Sequence, residues 1–450
     1  MIEETKRARI NRLTDFLRKR NFTKIQYYIC HTLSFEDELK CGKWKDRKIA
    51  DEWIYAVEAE QEGKYGKTYF TQPDHWEEIA LCLEETAKVY SRKYIPVELP
   101  LKEKISKKEK SIWKEDGFDE ISYCLEKAQK AAMSFPGVLQ VRQCKYQQKL
   151  QEIFLIKENE AELSDQTAYH YFEIDVIAGS PERKESASGR IYGDSIAGMD
   201  VESCAKETAF EAIKRIGSKP LFSGQYNVIL FNHVMAELVE AYLPAFYLRN
   251  VLDERSPLTE KNGIVIADRQ VLIKEDPFYS KGAFKRSWDD EGRKVSKKYL
   301  LRNGKVECLL ADRQTAAEGK VEPTGNGFKT TLQSEAETGV TNIVFDGTNS
   351  VSSLDSLKKQ MKHGLLITEI DGVFAGANWE TGDFSLIAKG RIVDEGKETD
   401  PFSKITIAGN FFDILKNNLV IAVDHAVTPP YLKSVSAPSV FVGELTVSGK

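Results

Sequence analysis

Apolar and polar positions alternate between two periods along the chain. Ile10, Leu13, Phe16 and Leu17 recur at helical spacing and predict an amphipathic helix over 3–20. Ile25, Tyr27 and Ile29 then alternate with polar residues, as do Trp53, Tyr55 and Val57, and both runs predict half-buried strands. The stretch Glu62–Lys67, with Gly63 and Gly66, reads as a turn between strands. Asp74 and Glu77 have capping-box spacing, and Trp76, Ile79, Leu83, Ala87 and Tyr90 follow on one helical face. Residues 1–100 therefore predict an α+β unit.

A second unit, 101–218, begins with a lysine-rich run over 101–115 in which Lys and Glu interleave. That pattern predicts a solvated linker and marks a boundary. Ile121, Leu125, Ala128 and Ala132 predict a helix over 118–133, stopped by Pro136-Gly137. Strand patterns follow over 138–147, 149–158 and 168–178. Asp200 is placed to cap another helix running along Cys204, Thr208, Ala212 and Ile216 to Gly217. The recurrence of helices beside strands hints at a duplicated architecture.

From 219 to 450 the texture changes. One strand (Tyr226–Phe231) and one helix (about His233–Tyr247) precede a glycine-rich, β-branched sequence. Asn303-Gly304 and Asp371-Gly372 read as hairpin turns there. The expected fold is α+β: N-terminal α+β units followed by a β-rich C-terminal domain with a large mixed, curved sheet.

Composition narrows the function. The 450 residues are 41% hydrophobic and 30% charged with a net charge of -5, enough for sizeable cores and unlike a general nucleic-acid binder. No apolar run reaches membrane-spanning length, and the charged N-terminus lacks a signal-peptide core, so a cytoplasmic protein is expected. The seven cysteines are scattered without a Cys-x-x-Cys, which predicts reduced thiols.

Familiar chemical motifs are few. Thr324-Gly325-Asn326-Gly327 lacks the third glycine and the Lys-Ser/Thr of phosphate loops, and reads as a turn. None of the six histidines precedes a glutamate, which excludes HExxH and its relatives. His233 and Glu237 stand four apart on the predicted helix, with Glu240 a turn further on. They are the best remaining metal pair, although such spacing more often serves a surface or interface contact. Asp289-Asp290-Glu291-Gly292 offers paired carboxylates but also fits a loop closed by glycine.

Five blocks in the C-terminal half carry a more specific signal. They are the Asp-Asp-Glu-Gly turn, strand and Asn-Gly hairpin of 287–316, PTGNGFK (323–329), WETGDFSLIAKGRIVDEG (379–396), SKITIAGNFFDILKN (403–417) and APSVFVGELTVSGK (437–450). In this order they resemble the TldD/PmbA family. That resemblance implies a two-chain protease in which a TldD subunit holds zinc through an HExxxH helix and a later cysteine. A TldE (PmbA) subunit lacks those ligands and completes the cleft, and the pair cleaves unfolded polypeptides or trims peptide leaders. In the corresponding register Val239-Glu240 stands where His-Glu would be and Pro244 where the second His would be, and no cysteine follows Cys308.

The resemblance thus implies a TldE-like subunit with no metal ligands and no catalytic residues of its own. Zinc is expected in a TldD-like partner, with a homodimer when the chain is alone. A peptide would be bound by strand addition along a wall formed by Thr381, Gly382, Asp383, Phe384, Ser385, Gly409 and Asn410. The alternatives are a non-enzymatic modulator of the DNA-gyrase type and a stand-alone metal hydrolase using His233 and Glu237.

Overall fold

The computed structural model describes residues 3–89, 115–157, 162–259, 264–331, 334–348, 350–351, 353–427 and 433–450. The lysine-rich run, apart from Glu115, lies outside them.

The N-terminal half is one antiparallel sheet under four helices. Its strands are β1 (Thr23–Lys40), β2 (Lys48–Gln61), β3 (Lys64–Phe70), β4 (Val138–Lys157), β5 (Glu162–Gly179) and β6 (Lys184–Gly193), in the order β3-β2-β1-β4-β5-β6. A short strand, Lys43–Trp44, folds back on β1. The two segments on either side of the linker meet inside this sheet. β1 pairs with β4 from Gln26 opposite Lys157 to Lys40 opposite Gln143.

Odd-numbered residues of β1 point to the helices because side chains alternate along a strand. Ile25, Tyr27 and Ile29 pack with Leu13 of α1 (Glu4–Lys19) and Leu83 of α2 (Trp76–Val89). Phe35 and Leu39 pack with Leu125 of α3 (Phe118–Met133) and Ala209 of α4 (Val201–Lys214). One sheet face therefore carries two clusters of buried side chains.

The local signals mostly act as read. Glu62 and Gly63 both take positive φ (53° and 77°) in the turn joining β2 to β3, and Asp200 accepts from the Ser203 N–H at 2.9 Å to cap α4. Two readings differ. Residues 138–157 form a single twenty-residue strand. Asp74 does not cap α2: the first helical N–H, that of Ile79, bonds to His75 O, and the Asp74 carboxylate pairs with Arg9 at 3.5 Å.

The C-terminal half contains a closed ring. Its strands are β7 (Gly224–Leu230), β11 (Gly364–Asp371), β12 (Asp383–Asp394), β13 (Lys397–Asn410) and β15 (Val440–Ser448). Their order is β13-β12-β11-β7-β15, and β15 pairs again with β13 to close it. A second sheet runs β9-β8-β10-β14, from Lys298–Arg302, Val271–Glu275, Asn342–Gly347 and Ser434–Ala437. Parallel pairings β7–β11 and β10–β14 make both sheets mixed.

Helix α5 (Asn232–Tyr242) belongs to the core shared by ring and sheet, with Val234, Leu238 and Tyr242 fully buried. It is shorter than the sequence predicts. Pro244 cannot donate a helical hydrogen bond, and the chain tightens into a 3-10 turn over Leu243–Phe246. Asn303 and Gly304 do form a tight turn (φ 52° and 73°). Asp371-Gly372 instead opens a longer connection with a short helix, Val373–Gly376, before β12 begins.

Candidate functional site

The ring delivers α5 directly from the end of β7, and its first residues are pinned at both ends. The Asn232 Nδ2 donates to Asp424 O at 2.7 Å. The His233 Nε2–H donates to Thr368 O at 2.8 Å, and the ring meets Phe231 edge-on at 5.0 Å. Burial holds the His233 imidazole below its ordinary pKa and so favours the neutral ring. One turn on, Glu237 is half-buried and its carboxyl is pushed up to about 7, first by burial and then against the pull of Arg190. Glu240 pairs with Lys433 at 3.4 Å. Among the described residues no three His, Cys, Asp or Glu side chains come together in a group able to hold a metal. His233, Glu237 and Glu240 share a helix but not a coordination point.

The helices of the N-terminal sheet lie on one face, and the other face carries Arg190, whose charge acts on Glu237 of α5. Period two places Tyr169, Tyr171 and Glu173 of β5 on that other face, beside Arg190 and Tyr192 of β6, with Tyr171 opposite Tyr192 and Glu173 opposite Arg190. The Tyr171 and Tyr192 rings stack at 5.1 Å, and Arg190 Nε donates to Glu173 at 3.1 Å. Burial raises the hydroxyl pKa of all three tyrosines, that of Tyr169 to about 12. The Tyr192 hydroxyl is shielded from water and has no hydrogen-bond partner among the described residues. The strand β11 brings further charge near Glu237. Its Glu369 pairs with Arg215 at 2.6 Å and also with Lys389, and Lys389 reaches Asp371 at 3.5 Å. Sequence reading missed this tyrosine face. The alternation Tyr169, Tyr171 within a predicted strand was its only signal.

The wall residues do come together. Asp383 lies opposite Asn410, Phe384 opposite Gly409 and Ser385 opposite Ala408. Asn410 Nδ2 donates to Thr381 O at 3.0 Å and to the Asp383 carboxylate at 2.9 Å. Its Oδ1 accepts from the N–H groups of Phe412 and Asp413, capping the helix Phe411–Lys416. Gly382 has φ +87°, and a Cβ on Gly409 would sit 2.9 Å from the Phe384 ring, so both glycines are required by the local fold. The backbone of 383–388 is paired along its whole length on one flank and in part on the other. β13 lies on one side, and on the other are Ala377 and the end of β11. Of the wall residues, Thr381, Asp383 and Ser385 are exposed.

The other quoted blocks build a buried polar network. Asp289 accepts N–H groups from Glu291, Arg293 and Gly327 at 2.8–3.0 Å, and Asp290 pairs with Arg286 at 2.7 Å. Glu275, fully buried, receives Lys298 at 2.8 Å, Asn326 at 2.9 Å and Thr341 N–H at 2.8 Å. These carboxylates hold loops together, so their recurrence as blocks reflects the fold of this half.

Residues 223–449 match the family model described as the PmbA/TldA metallopeptidase C-terminal domain. Among curated proteins the chain is similar to the metalloprotease PmbA homolog of Buchnera aphidicola subsp. Baizongia pistaciae, 27% identical over 248 residues, 55% of this chain and 52% of that one. It is also similar to metalloprotease PmbA of Escherichia coli O157:H7, 26% identical over 247 residues, 55% of this chain and 50% of that one. The chain spans about half the length of the curated relatives it matches. Among solved structures it resembles a protein from Thermotoga maritima MSB8 described as a modulator of a DNA gyrase, with TM-score 0.86 and 26% identity, covering 98% of this chain and 100% of that one. TldE from Thermococcus kodakarensis shares the fold at TM-score 0.87 and 18% identity, covering 98% and 100%. No helix among the described residues is long and apolar enough to cross a membrane.

Proposed function

The chain belongs to the PmbA/TldD metallopeptidase family, and on that premise we propose that it acts as the non-catalytic, TldE-like subunit of a two-chain zinc protease. Its partner is a TldD-like chain that carries the zinc. The substrates are unfolded polypeptides or peptide leaders.

The observation that carries this reading is the chemistry of α5. A hydrolytic zinc needs about three protein ligands and an open position for water. Here Val239 is buried in the core, Pro244 breaks the helix, and Glu240 is paired with Lys433. The His233 Nε2 is committed to a backbone carbonyl. What this helix offers is a surface, and on the reading proposed here the peptide lies in a cleft between it and the tyrosine face of β5 and β6, whose Arg190 acts on Glu237. An extended peptide laid along that cleft meets half-buried aromatic rings, hydroxyls and the exposed side chains of 381–385. Such contacts hold an unfolded chain with little regard to sequence.

The test is to purify the chain alone, a zinc-bearing TldD-like partner alone, and the mixture. Metal content, complex formation by size-exclusion chromatography and cleavage of an unfolded peptide are then measured. A stable complex that cleaves, with zinc only in the partner, is the expected result. About one zinc per copy of this chain, with chelator-sensitive cleavage when alone, would overturn the reading and return attention to His233.

A further inference from the structure

The N-terminal sheet ends in two edge strands, β3 and β6, and the fold treats them differently. Helix α2 closes over β3: the Lys67 N–H donates to Thr86 Oγ1 at 3.0 Å, and a Cβ on Gly66 would strike Leu83 O. On β6 the hairpin register decides which backbone groups face outwards. Ser180 and Arg183 exchange N–H···O bonds across the turn, at 2.8 and 3.2 Å. From there the ladder runs without a shift from Gly179 opposite Lys184 to His170 opposite Gly193. Antiparallel pairs alternate between bonded and non-bonded. Lys184, Ser186, Ser188, Arg190 and Tyr192 are therefore the non-bonded positions, and their N–H and C=O groups point away from β5. Ser186 O agrees with this assignment, for it accepts from Arg215 Nη1 at 2.6 Å. Among the described residues no hydrogen bond reaches the outward backbone groups of Ser188, Arg190 or Tyr192.

A free strand edge is ordinarily blunted by a bulge, a proline or a covering segment. β6 has an unbroken register and no proline, and Ser188 and Arg190 are exposed. The open stretch runs only from Ser188 to Tyr192 and is bracketed. At one end Arg215, paired with Glu369, occupies Ser186 O, and at the other Met199 packs on Gly193. An edge this short matches an extended peptide of a few residues rather than the long edge strand of a second folded copy.

We propose that the β6 edge from Ser188 to Tyr192 is a docking site for an extended peptide segment, which adds to the sheet as one more strand. The inference rests on the peptide-binding role proposed above and names backbone groups that serve it: the N–H and C=O of Ser188, Arg190 and Tyr192. Arg190 and Tyr192 also carry their side chains on the tyrosine face, so the added strand borders that face. Recognition through the main chain is indifferent to the order of side chains in the peptide.

The experiment uses the full chain and a short unstructured peptide with a C-terminal fluorophore, and binding is read by fluorescence anisotropy. Two counterparts carry equal numbers of backbone N-methyl groups, on two alternate residues or on two adjacent ones. Alternate methyls block one edge of the peptide strand and leave the other free, whereas adjacent methyls block both. The alternately methylated peptide should outbind the adjacently methylated one roughly fivefold. Ser188→Pro removes one outward N–H and leaves the ladder to β5 intact. It should bind the parent peptide roughly fivefold more weakly than Ser188→Ala, which loses the same hydroxyl and keeps the N–H. Equal binding of the two methylated peptides overturns the edge site while leaving peptide binding intact, as does equal binding by the two folded Ser188 variants. If Ser188→Pro does not fold, the methyl pattern on the wild-type chain decides alone. A wild-type dimer that Ser188→Pro dissociates, with peptide binding unchanged, gives the edge to a second copy and overturns the proposal. Failure of every peptide to bind, alone and with a zinc-bearing partner, removes both the edge site and the function beneath it.

Discussion

Replacing Asn410 by alanine separates a structural from a substrate-binding role for the wall. The side chain makes four hydrogen bonds: two accepted from Phe412 and Asp413, and two donated to Thr381 O and the Asp383 carboxylate. Loss of an N-cap costs about 1 kcal/mol. The two donated bonds lie at the water-exposed rim and contribute about 0.5 kcal/mol each. Asn410→Ala should therefore destabilise the C-terminal half by about 2 kcal/mol. For a unit of this size that lowers its melting temperature by about 4–8 °C. Asn410→Ser keeps a capping oxygen and should lose about half as much. Scanning calorimetry reads the transition, and peptide anisotropy at a temperature where both proteins are folded reads binding. An unchanged melting temperature with weakened peptide binding would refute the reasoning, because Asn410 would then be touching substrate rather than holding the turn.

Two further outcomes follow from buried charge. Glu275→Met leaves the Lys298 ammonium without its buried partner and should cost about 3–5 kcal/mol, as should Lys298→Met, while the double variant recovers most of the loss. Urea midpoints that are simply additive would contradict the pairing. For Glu237 the folded-state pKa of about 7 lies above its ordinary 4.5, so its contribution is fully present below pH 4.5 and is lost as pH rises through 7. Glu237→Gln should flatten the decline of stability across that window relative to wild type. Parallel urea-stability curves from pH 4 to 8 would show that the carboxyl titrates normally.

Helices were legible because their signals are local. Ile121, Leu125, Ala128 and Ala132 define the buried face of α3 as read, and Asp200 caps α4 by a contact only three residues long. The β-rich character of the second half was equally plain from its glycine and β-branched texture. Closure of the ring was not, since it depends on Thr406–Ala408 meeting Thr446–Ser448, a register that no single strand encodes. For the same reason the pairing of Phe384 with Gly409 was not legible: Gly409 is conspicuous in the sequence, yet the Phe384 ring that requires it lies on the neighbouring strand. The Asp116–Tyr146–His170 cluster escaped notice altogether. Tyr146 and His170 bond at 2.6 Å and both approach Asp116, joining strands and a loop scattered over the second segment. Residues that look like chemistry in the sequence, Asp289 to Glu291 above all, turned out to organise loops.

The ladder between β1 and β4 governs the order in which the N-terminal half can be assembled. During synthesis β1 can make a hairpin with β2 at once, but its opposite edge stays open until the chain on the far side of the linker has been made. Until then α1 and α2 cover only part of the sheet, and Tyr27 and Ile29 lack Phe154 and Ile156 beside them. An exposed strand edge is an invitation to pair with another chain. Polar residues alternate along β1, among them Thr32, Ser34, Glu36 and Glu38, on the sheet face away from the helices. The same ladder later holds the two segments together by its own hydrogen bonds.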